Sequence, residues 1–197
     1  MAKVLAIGAH FDDIEIGVGG TLLKHVNNND EVFVAITSSD EIRTGDVVMR
    51  YQEQLESINM FGIKEQQLLL FKESDVISDI VGILDKLKAD VVYIMFESDT
   101  HQAHRRCSYI GQAVGRKLAT QLIFYNSGTS YNFLPNVFSI ISFEFKRKLL
   151  QCFRSQIELN VINIDIIKRR ESYWASLVSD KELYAEGLMV RKMIYEV

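Results

Sequence analysis

Short apolar runs of strand length alternate with longer amphipathic segments through the first two thirds of the chain. The runs cover residues 3–9, 31–37, 66–71, 90–96 and 121–126, and helices are predicted between them over 17–28, 46–61, 75–88 and 104–119. Because the runs are apolar throughout, both faces of the sheet must be covered, and right-handed crossovers make neighbouring strands parallel. The pattern predicts a Rossmann-like α/β fold: an open, mostly parallel sheet with helices on both faces.

The part of the chain after Ser127 has a different pattern. The stretch SGTSYNFLPNV is typical of a loop and contains the only proline, and two segments that begin at Phe143 and Val161 have helical periodicity. No repeat, low-complexity tract or linker separates this region, so we expect a helical tail from about residue 143 that packs on the same domain. A chain of 197 residues with 48% apolar residues is predicted to form a single domain over residues 1–197.

The net charge and the cysteine content indicate which kind of partner and which cellular compartment to expect. A net charge of −4 offers no general attraction for nucleic acid or an anionic membrane, so a small-molecule partner is expected. No apolar run approaches the roughly 20 residues of a membrane-spanning helix, and the N-terminal segment is not typical of a signal peptide. Cys107 and Cys152 lack CxxC spacing, which favours reduced thiols and a cytoplasmic protein. Whether the protein is a homo-oligomer stays open.

Two clusters of polar residues follow predicted strands. His10, Asp12 and Asp13 come after the first strand, and Asp99, His101 and His104 come after the fourth. Ligands of open parallel sheets bind beyond the carboxyl ends of the strands, so we expect both clusters to meet in one crevice. A catalytic zinc ion has three protein ligands, often imidazole and carboxylate. His10 and Asp13 would supply two of them, and a histidine of the second cluster would supply the third.

Other interpretations of the first cluster explain less of it. A dinucleotide-binding loop needs G-x-G-x-x-G directly after the strand, and His10 stands where the second glycine would be. Taken singly, each polar residue is typical of a hydrogen-bonded strand end or a helix N-cap. The joint placement of one imidazole and two carboxylates favours a cation site.

Several motifs resemble those of one enzyme family. AHFDDIEIGVGG, residues 9–20, resembles the AHPDDxExGxGG signature of the PIG-L/LmbE-like zinc-dependent N-acetylglucosamine deacetylases, and DTHQAHR, residues 99–105, resembles their second motif, with two histidines three positions apart. Further similarities lie at RYQE (50–53), FGI (61–63), LPNVF (134–138), RSQ (154–156) and YAE (184–186). The resemblance therefore covers nearly the whole chain.

The resemblance implies a hydrolase that removes an N-acetyl group from an amino sugar or sugar conjugate. It implies His10, Asp13 and His104 as the ligands of one zinc ion, and mixed nitrogen and oxygen ligands also accept other divalent metals. Asp12 takes the position of the general base, which accepts a proton from the attacking water. His101 takes the position that stabilises the oxyanion or protonates the leaving amine.

Arg50 matches a substrate-binding arginine of the family, whereas three other positions depart from its pattern. Phe11 replaces a proline, Ala103 replaces an aspartate between the paired histidines, and Ile140 replaces an aspartate that is common after PNVF. Since His101 lacks its expected carboxylate neighbour, we predict modest deacetylase activity. Two alternatives remain: a carbohydrate-binding protein that keeps the metal with weak or no catalysis, and a metal-free structural member of an assembly.

Overall fold

The structure, a computed structural model, describes residues 1–41, 45–116, 119–181 and 183–194. Its strands are β1 (Lys3–Gly8), β2 (Glu31–Ile36), β3 (Leu68–Leu70), β4 (Val91–Met95), β5 (Gln121–Tyr125), β6 (Val137–Ile141) and β7 (Tyr184–Met193). Its α-helices are α1 (Asp13–Asn27), α2 (Val47–Phe61), α3 (Ile77–Asp85), α4 (Gln102–Gly115), α5 (Phe143–Leu150), α6 (Arg154–Glu158) and α7 (Ile164–Ser176), and a short 3-10 helix lies at Glu65–Gln67.

The strands form one sheet in the order β3-β2-β1-β4-β5-β7-β6. The first five strands in this order are parallel, and β7 runs antiparallel to both β5 and β6. Helices α3 and α4 pack together, whereas α1 packs against α5 and α7 packs against β7. The predicted α/β fold with a mostly parallel sheet is confirmed. The direction of strand succession reverses between β1 and β4, which makes this point the expected place for a ligand.

The region after Ser127 differs from the prediction, which placed only a loop and helices there. The expected helices are present as α5, α6 and α7, but two strands, β6 and β7, also join the sheet, and β7 is antiparallel to both of its neighbours. Strand β7 was not predicted because a charged residue, Glu186, is fully buried in it. An alternating strand pattern would have an apolar residue at this position. Lys146 Nζ lies 2.7 Å from both Glu186 and Glu171, and this pairing makes the burial of the charges possible.

Helix α4 also begins earlier than the sequence predicts, at Gln102 rather than at residue 104. The imidazole of His101 caps the helix, which brings the start forward. The predicted end falls at residue 119; α4 is described to Gly115, and residues 117–118 of the predicted helix lie outside the described residues. Within the described parts of the chain, none of the helices combines the length and apolarity that a membrane crossing needs.

Candidate metal centre

The loop between β1 and α1 places three polar side chains at the carboxyl end of β1. Asp13 closes this loop, because its Oδ2 accepts the backbone N–H groups of Ala9 at 3.1 Å and His10 at 2.7 Å. Asp12 is the N-cap residue of α1 and has a φ of 102°, a conformation that is costly for a residue with a Cβ. Its side chain makes no cap hydrogen bond, so the carboxylate does not bind the N–H groups at the start of α1.

His10, Asp13 and His104 converge at the switch point of the sheet. One potential ligand atom of each residue lies within 4.8 Å of the other two, and all three residues are buried. The ring centroids of His10 and His104 are 5.2 Å apart, and Nε2 of His104 lies 3.5 Å from Oδ1 of Asp13. The structure therefore brings together the two side chains that the sequence places after the first and fourth strands.

The chemistry of this group fits a divalent metal ion. Two imidazoles and one carboxylate are ordinary zinc ligands, and they also suit other first-row divalent metals. Nε2 of His10 is buried, and no described residue offers it a hydrogen-bond partner, which is costly unless a ligand or ion meets the atom. Burial alone would raise the pKa of Asp13, but His104 and His10 lower it to about 2, so the carboxylate is charged and able to ligate.

Asp99 orients His104; the sequence places Asp99 beside the two histidines of the second cluster but did not predict this contact. Its Oδ1 lies 3.2 Å from Nδ1 of His104 and accepts a hydrogen bond from Oγ1 of Thr129 at 2.7 Å. Its Oδ2 accepts hydrogen bonds from Ser127 and Ser130 at 2.5 and 3.1 Å. Burial opposes its ionisation, yet the hydrogen bonds from His104 and Ser127 hold the pKa of Asp99 below its ordinary value. Because Nδ1 of His104 faces this carboxylate, Nε2 is left to face Asp13.

Replacing Asp99 with asparagine is expected to weaken zinc affinity about 10- to 100-fold, the effect typical of losing a carboxylate behind a metal-ligating histidine. The measurement is competition between the metal-free protein and a chelator of known affinity. Ser130→Ala is a suitable control because Ser130 contacts the opposite oxygen, Oδ2, and it should retain most of the affinity. Equal zinc affinities of Asp99→Asn and the wild type would contradict this role for Asp99.

His101 hydrogen-bonds to its own helix rather than to a carboxylate. Its Nδ1 accepts the backbone N–H of Ala103 at 3.2 Å, and Oδ1 of Asp99 accepts the backbone N–H of His101 rather than a ring N–H. The ring stacks on His104 with a centroid distance of 4.5 Å. Burial and then the charges of His104 and His10 lower the pKa of His101. Protonation at Nδ1 would also break the helix cap, so the neutral form with a hydrogen on Nε2 is favoured.

Arg50, from α2, lies beside Asp12. Its Nη2 donates to the backbone carbonyl of Phe11 at 2.9 Å and lies 3.7 Å from Oδ2 of Asp12. Burial and then the charge of Asp13 raise the pKa of Asp12 well above its ordinary value, and Arg50 opposes this shift. Oδ2 of Asp12 is buried without a hydrogen-bond partner in the described part of the structure. Asp12 also lines the crevice described below.

All six predicted site residues line one crevice of about 530 Å³, a size typical of small-molecule sites. These residues are His10, Asp12, Asp13, Arg50, His101 and His104. Sequence reasoning missed two further parts of the lining, residues 126–129 after β5 and residues 160–170 around the start of α7. The first part could have been found, because it also follows a parallel strand. None of the three departures from the family pattern, Phe11, Ala103 and Ile140, is among the crevice residues that the structure describes.

The fold and the three clustered ligands define an α/β protein with a candidate metal centre at the switch point of its sheet. Within that class, the chain belongs to the PIG-L family, whose model, GlcNAc-PI de-N-acetylase, matches residues 5–114. A relative from Escherichia coli (strain K12), the uncharacterized deacetylase YaiS, is 26% identical over 155 residues, which cover 72% of this chain and 83% of the relative. The chain is thus a member of a deacetylase family.

Solved structures share the fold at lower sequence identity. N,N'-diacetylchitobiose deacetylase from Pyrococcus horikoshii has a TM-score of 0.76 and 22% identity, over 96% of this chain and 83% of that one. GalB, the 4-carboxy-2-hydroxymuconate hydratase from Pseudomonas putida KT2440, has a TM-score of 0.78 and 14% identity, over 100% and 99%. These two proteins carry out different reactions, so the likeness shows the fold and the reaction must be argued from the site.

Proposed function

We propose that the protein is a metal-dependent hydrolase that removes the N-acetyl group from an amino sugar or sugar conjugate. The observation that carries the proposal is the convergence of His10, Asp13 and His104 in one buried crevice with Asp12 and His101. Membership of the PIG-L family and the deacetylase relative support the same class of reaction.

The metal in this proposal is one divalent ion per chain, with zinc as the first choice, held by His10, Asp13 and His104. Such an ion, when bound, polarises a carbonyl oxygen and lowers the pKa of a water molecule. Asp99 keeps Nε2 of His104 directed at the ligand group, and the buried Nε2 of His10 gains the partner that it lacks among the described residues. The orientation of the proposed ligands thus depends on contacts within the protein.

Asp12 and His101 carry the proposed proton transfers and charge stabilisation. As water attacks the amide carbon, the carboxylate of Asp12 accepts its proton, which is the role of a general base. His101 donates from Nε2 to the amide oxygen as that oxygen becomes negative. When the carbon–nitrogen bond breaks, Asp12 returns the proton to the amine, which leaves as the free amino sugar together with acetate.

Arg50 is proposed as a substrate-binding residue because it lines the crevice next to Asp12. Its hydrogen bond to the carbonyl of Phe11 fixes the guanidinium group, which limits the conformational entropy lost on binding. We also propose a cytoplasmic location, which the free, buried thiols of Cys107 and Cys152 support. The proposed partner is a small molecule rather than nucleic acid.

One observation favours the alternative of a metal-retaining, weakly active carbohydrate-binding protein. His101 uses Nδ1 to cap α4, at the place where the family pattern provides an aspartate for this ring. Acetate release from a panel of N-acetylated sugars, measured with the zinc-loaded protein, separates the two functions. The hydrolase should release acetate from at least one sugar, whereas the binding protein should bind a sugar without releasing acetate.

Replacing Ala103 with aspartate is expected to raise the rate at neutral pH and to move the basic limb of the pH–rate profile upward. The new carboxylate favours the imidazolium of His101, so its pKa rises and a larger fraction stays protonated as the pH increases. The protonated ring is the stronger donor to a developing oxyanion. The measurement is acetate release against pH for both proteins, repeated in a His101→Ala background. If the pH–rate profile is unchanged, or if it shifts by the same amount in the His101→Ala background, His101 does not have this role.

A further inference from the structure

The crevice has a wall that the proposed chemistry does not use. We call it the α6–α7 wall and define it as the crevice residues between Asn160 and Arg170. Ile162 and Ile167 of this wall are buried, whereas Val161 and Ile166 are 52% and 61% exposed. Two large apolar side chains are thus presented to solvent inside a site that also contains the metal-ligating group.

Backbone hydrogen bonds fix the α6–α7 wall in place. The N–H groups of Val161 and Ile162 donate to the carbonyl of Gln156 at 2.9 and 3.1 Å. Asn163 caps α7, because its side-chain oxygen accepts the N–H of Ile166 at 3.1 Å. The exposure of Val161 and Ile166 is therefore built into the fold, and exposed apolar surface that adjoins a crevice is typical of ligand-binding sites.

The charge on this wall is already balanced. Arg170 is the only charged side chain among the described residues of the α6–α7 wall, and its Nη2 lies 2.9 Å from Oε1 of Glu171 and donates to the carbonyl of Ile16 at 2.7 Å. Glu171 also shares Lys146 with Glu186, so two cations meet two carboxylates. No excess positive charge is left on the wall for a phosphate or carboxylate.

We infer that the α6–α7 wall binds a neutral, apolar substituent attached to the sugar, through Val161 and Ile166. This inference rests on the proposed function, because the sugar's acetamido group occupies the metal end of the same crevice. Each methylene that such a substituent buries should improve kcat/KM by roughly fourfold. An anionic substituent would gain nothing from this surface.

The test compares three glycosides of N-acetylglucosamine that carry methyl, octyl or phosphoethyl groups, each below its critical micelle concentration. The wild type should hydrolyse the octyl glycoside with a kcat/KM at least about tenfold above that of the methyl glycoside, since only part of the chain is buried. Val161→Thr and Ile166→Thr combined should reduce this ratio severalfold. Ile140→Thr is the matched control, because Ile140 is 36% exposed on β6 outside the crevice, and it should leave the ratio unchanged.

A binding measurement separates failure of this inference from failure of the proposed function. If the protein releases no acetate, calorimetric titration with octyl and methyl β-glucoside still reports on the wall. Tighter binding of the octyl compound that the double variant loses and Ile140→Thr keeps would support the inference. Equal binding of the two glucosides, a preference that survives the double substitution, or a preference for the phosphoethyl glycoside in the hydrolysis assay would overturn it.

Discussion

Replacing His104 with alanine is expected to abolish stoichiometric metal binding and to lower kcat/KM for acetate release by at least about a thousandfold. The ring is the proposed third ligand, and its Nε2 lies 3.5 Å from Asp13 while its Nδ1 lies 3.2 Å from Asp99. Two remaining protein ligands do not form the three-ligand site of a catalytic zinc ion. Without the ion, the proposed reaction would lose several kcal/mol of charge stabilisation, which accounts for the size of the expected effect.

Elemental analysis of the purified variant measures the metal directly, and thermal unfolding measures it independently. Zinc at a thousand times its Kd should stabilise the wild type by about 4 kcal/mol and should leave His104→Ala nearly unchanged. His25→Ala is a matched control, since this histidine of α1 bonds to Asp30 and Tyr93 rather than facing the crevice. One equivalent of metal in His104→Ala would show that the ligand assignment is wrong.

The Asp12→Asn substitution is expected to lower kcat by about 10²- to 10⁴-fold while the protein keeps one equivalent of metal. Asparagine has nearly the same shape, tolerates positive φ and cannot accept the proton of the attacking water. Acetate release and elemental analysis on the same sample separate catalysis from metal binding. Asp46→Asn, at the N-cap of α2, is the control for an aspartate-to-asparagine change and should retain activity, because asparagine is also a good cap.

The same variant should also be more stable than the wild type when both are free of metal at pH 7. Burial and the neighbouring Asp13 raise the pKa of Asp12 in the folded state, so the folded protein binds this proton more tightly than the unfolded chain does. The stabilisation that this proton gives the folded protein is present below the pKa of Asp12 in the unfolded chain. It is lost as the pH rises through the pKa of Asp12 in the folded state. Denaturation in urea should therefore show a difference between the free energies of unfolding of the variant and the wild type. This difference should be largest at neutral pH and smaller near pH 4. A less stable variant at pH 7 would contradict the direction of the shift.

The location of the candidate site was predictable because it depends on a general property of parallel sheets. Residues after β1 and after β4 must meet when these strands are neighbours, and the apolar runs predicted the strands. His10 and His104 could therefore be paired without knowledge of any side-chain conformation. The choice of His104 rather than His101 as the third proposed ligand came from the family resemblance.

The side-chain contacts of the site and the structure of the C-terminal region could not be predicted from the sequence, for physical reasons. Asp99 lies near both His101 and His104 in the chain, and only the rotamers decide that its carboxylate faces the ring of His104. Strand β7 was missed because the buried Glu186 is paired with Lys146, 40 positions away. Since residues 160–170 enter the crevice only when α7 packs against β7, their contribution depends on that same long-range pairing.

The most direct test of the proposed deacetylase is acetate release as zinc is added stepwise to the metal-free protein, with the best N-acetylated sugar as substrate. The rate should rise in proportion to zinc, stop rising at one equivalent per chain, and return to the baseline when a chelator is added. Tight binding of one zinc ion without acetate release from any sugar of the panel would contradict the hydrolase and favour the carbohydrate-binding alternative. Failure to bind zinc or another divalent metal would contradict the metal centre formed by His10, Asp13 and His104.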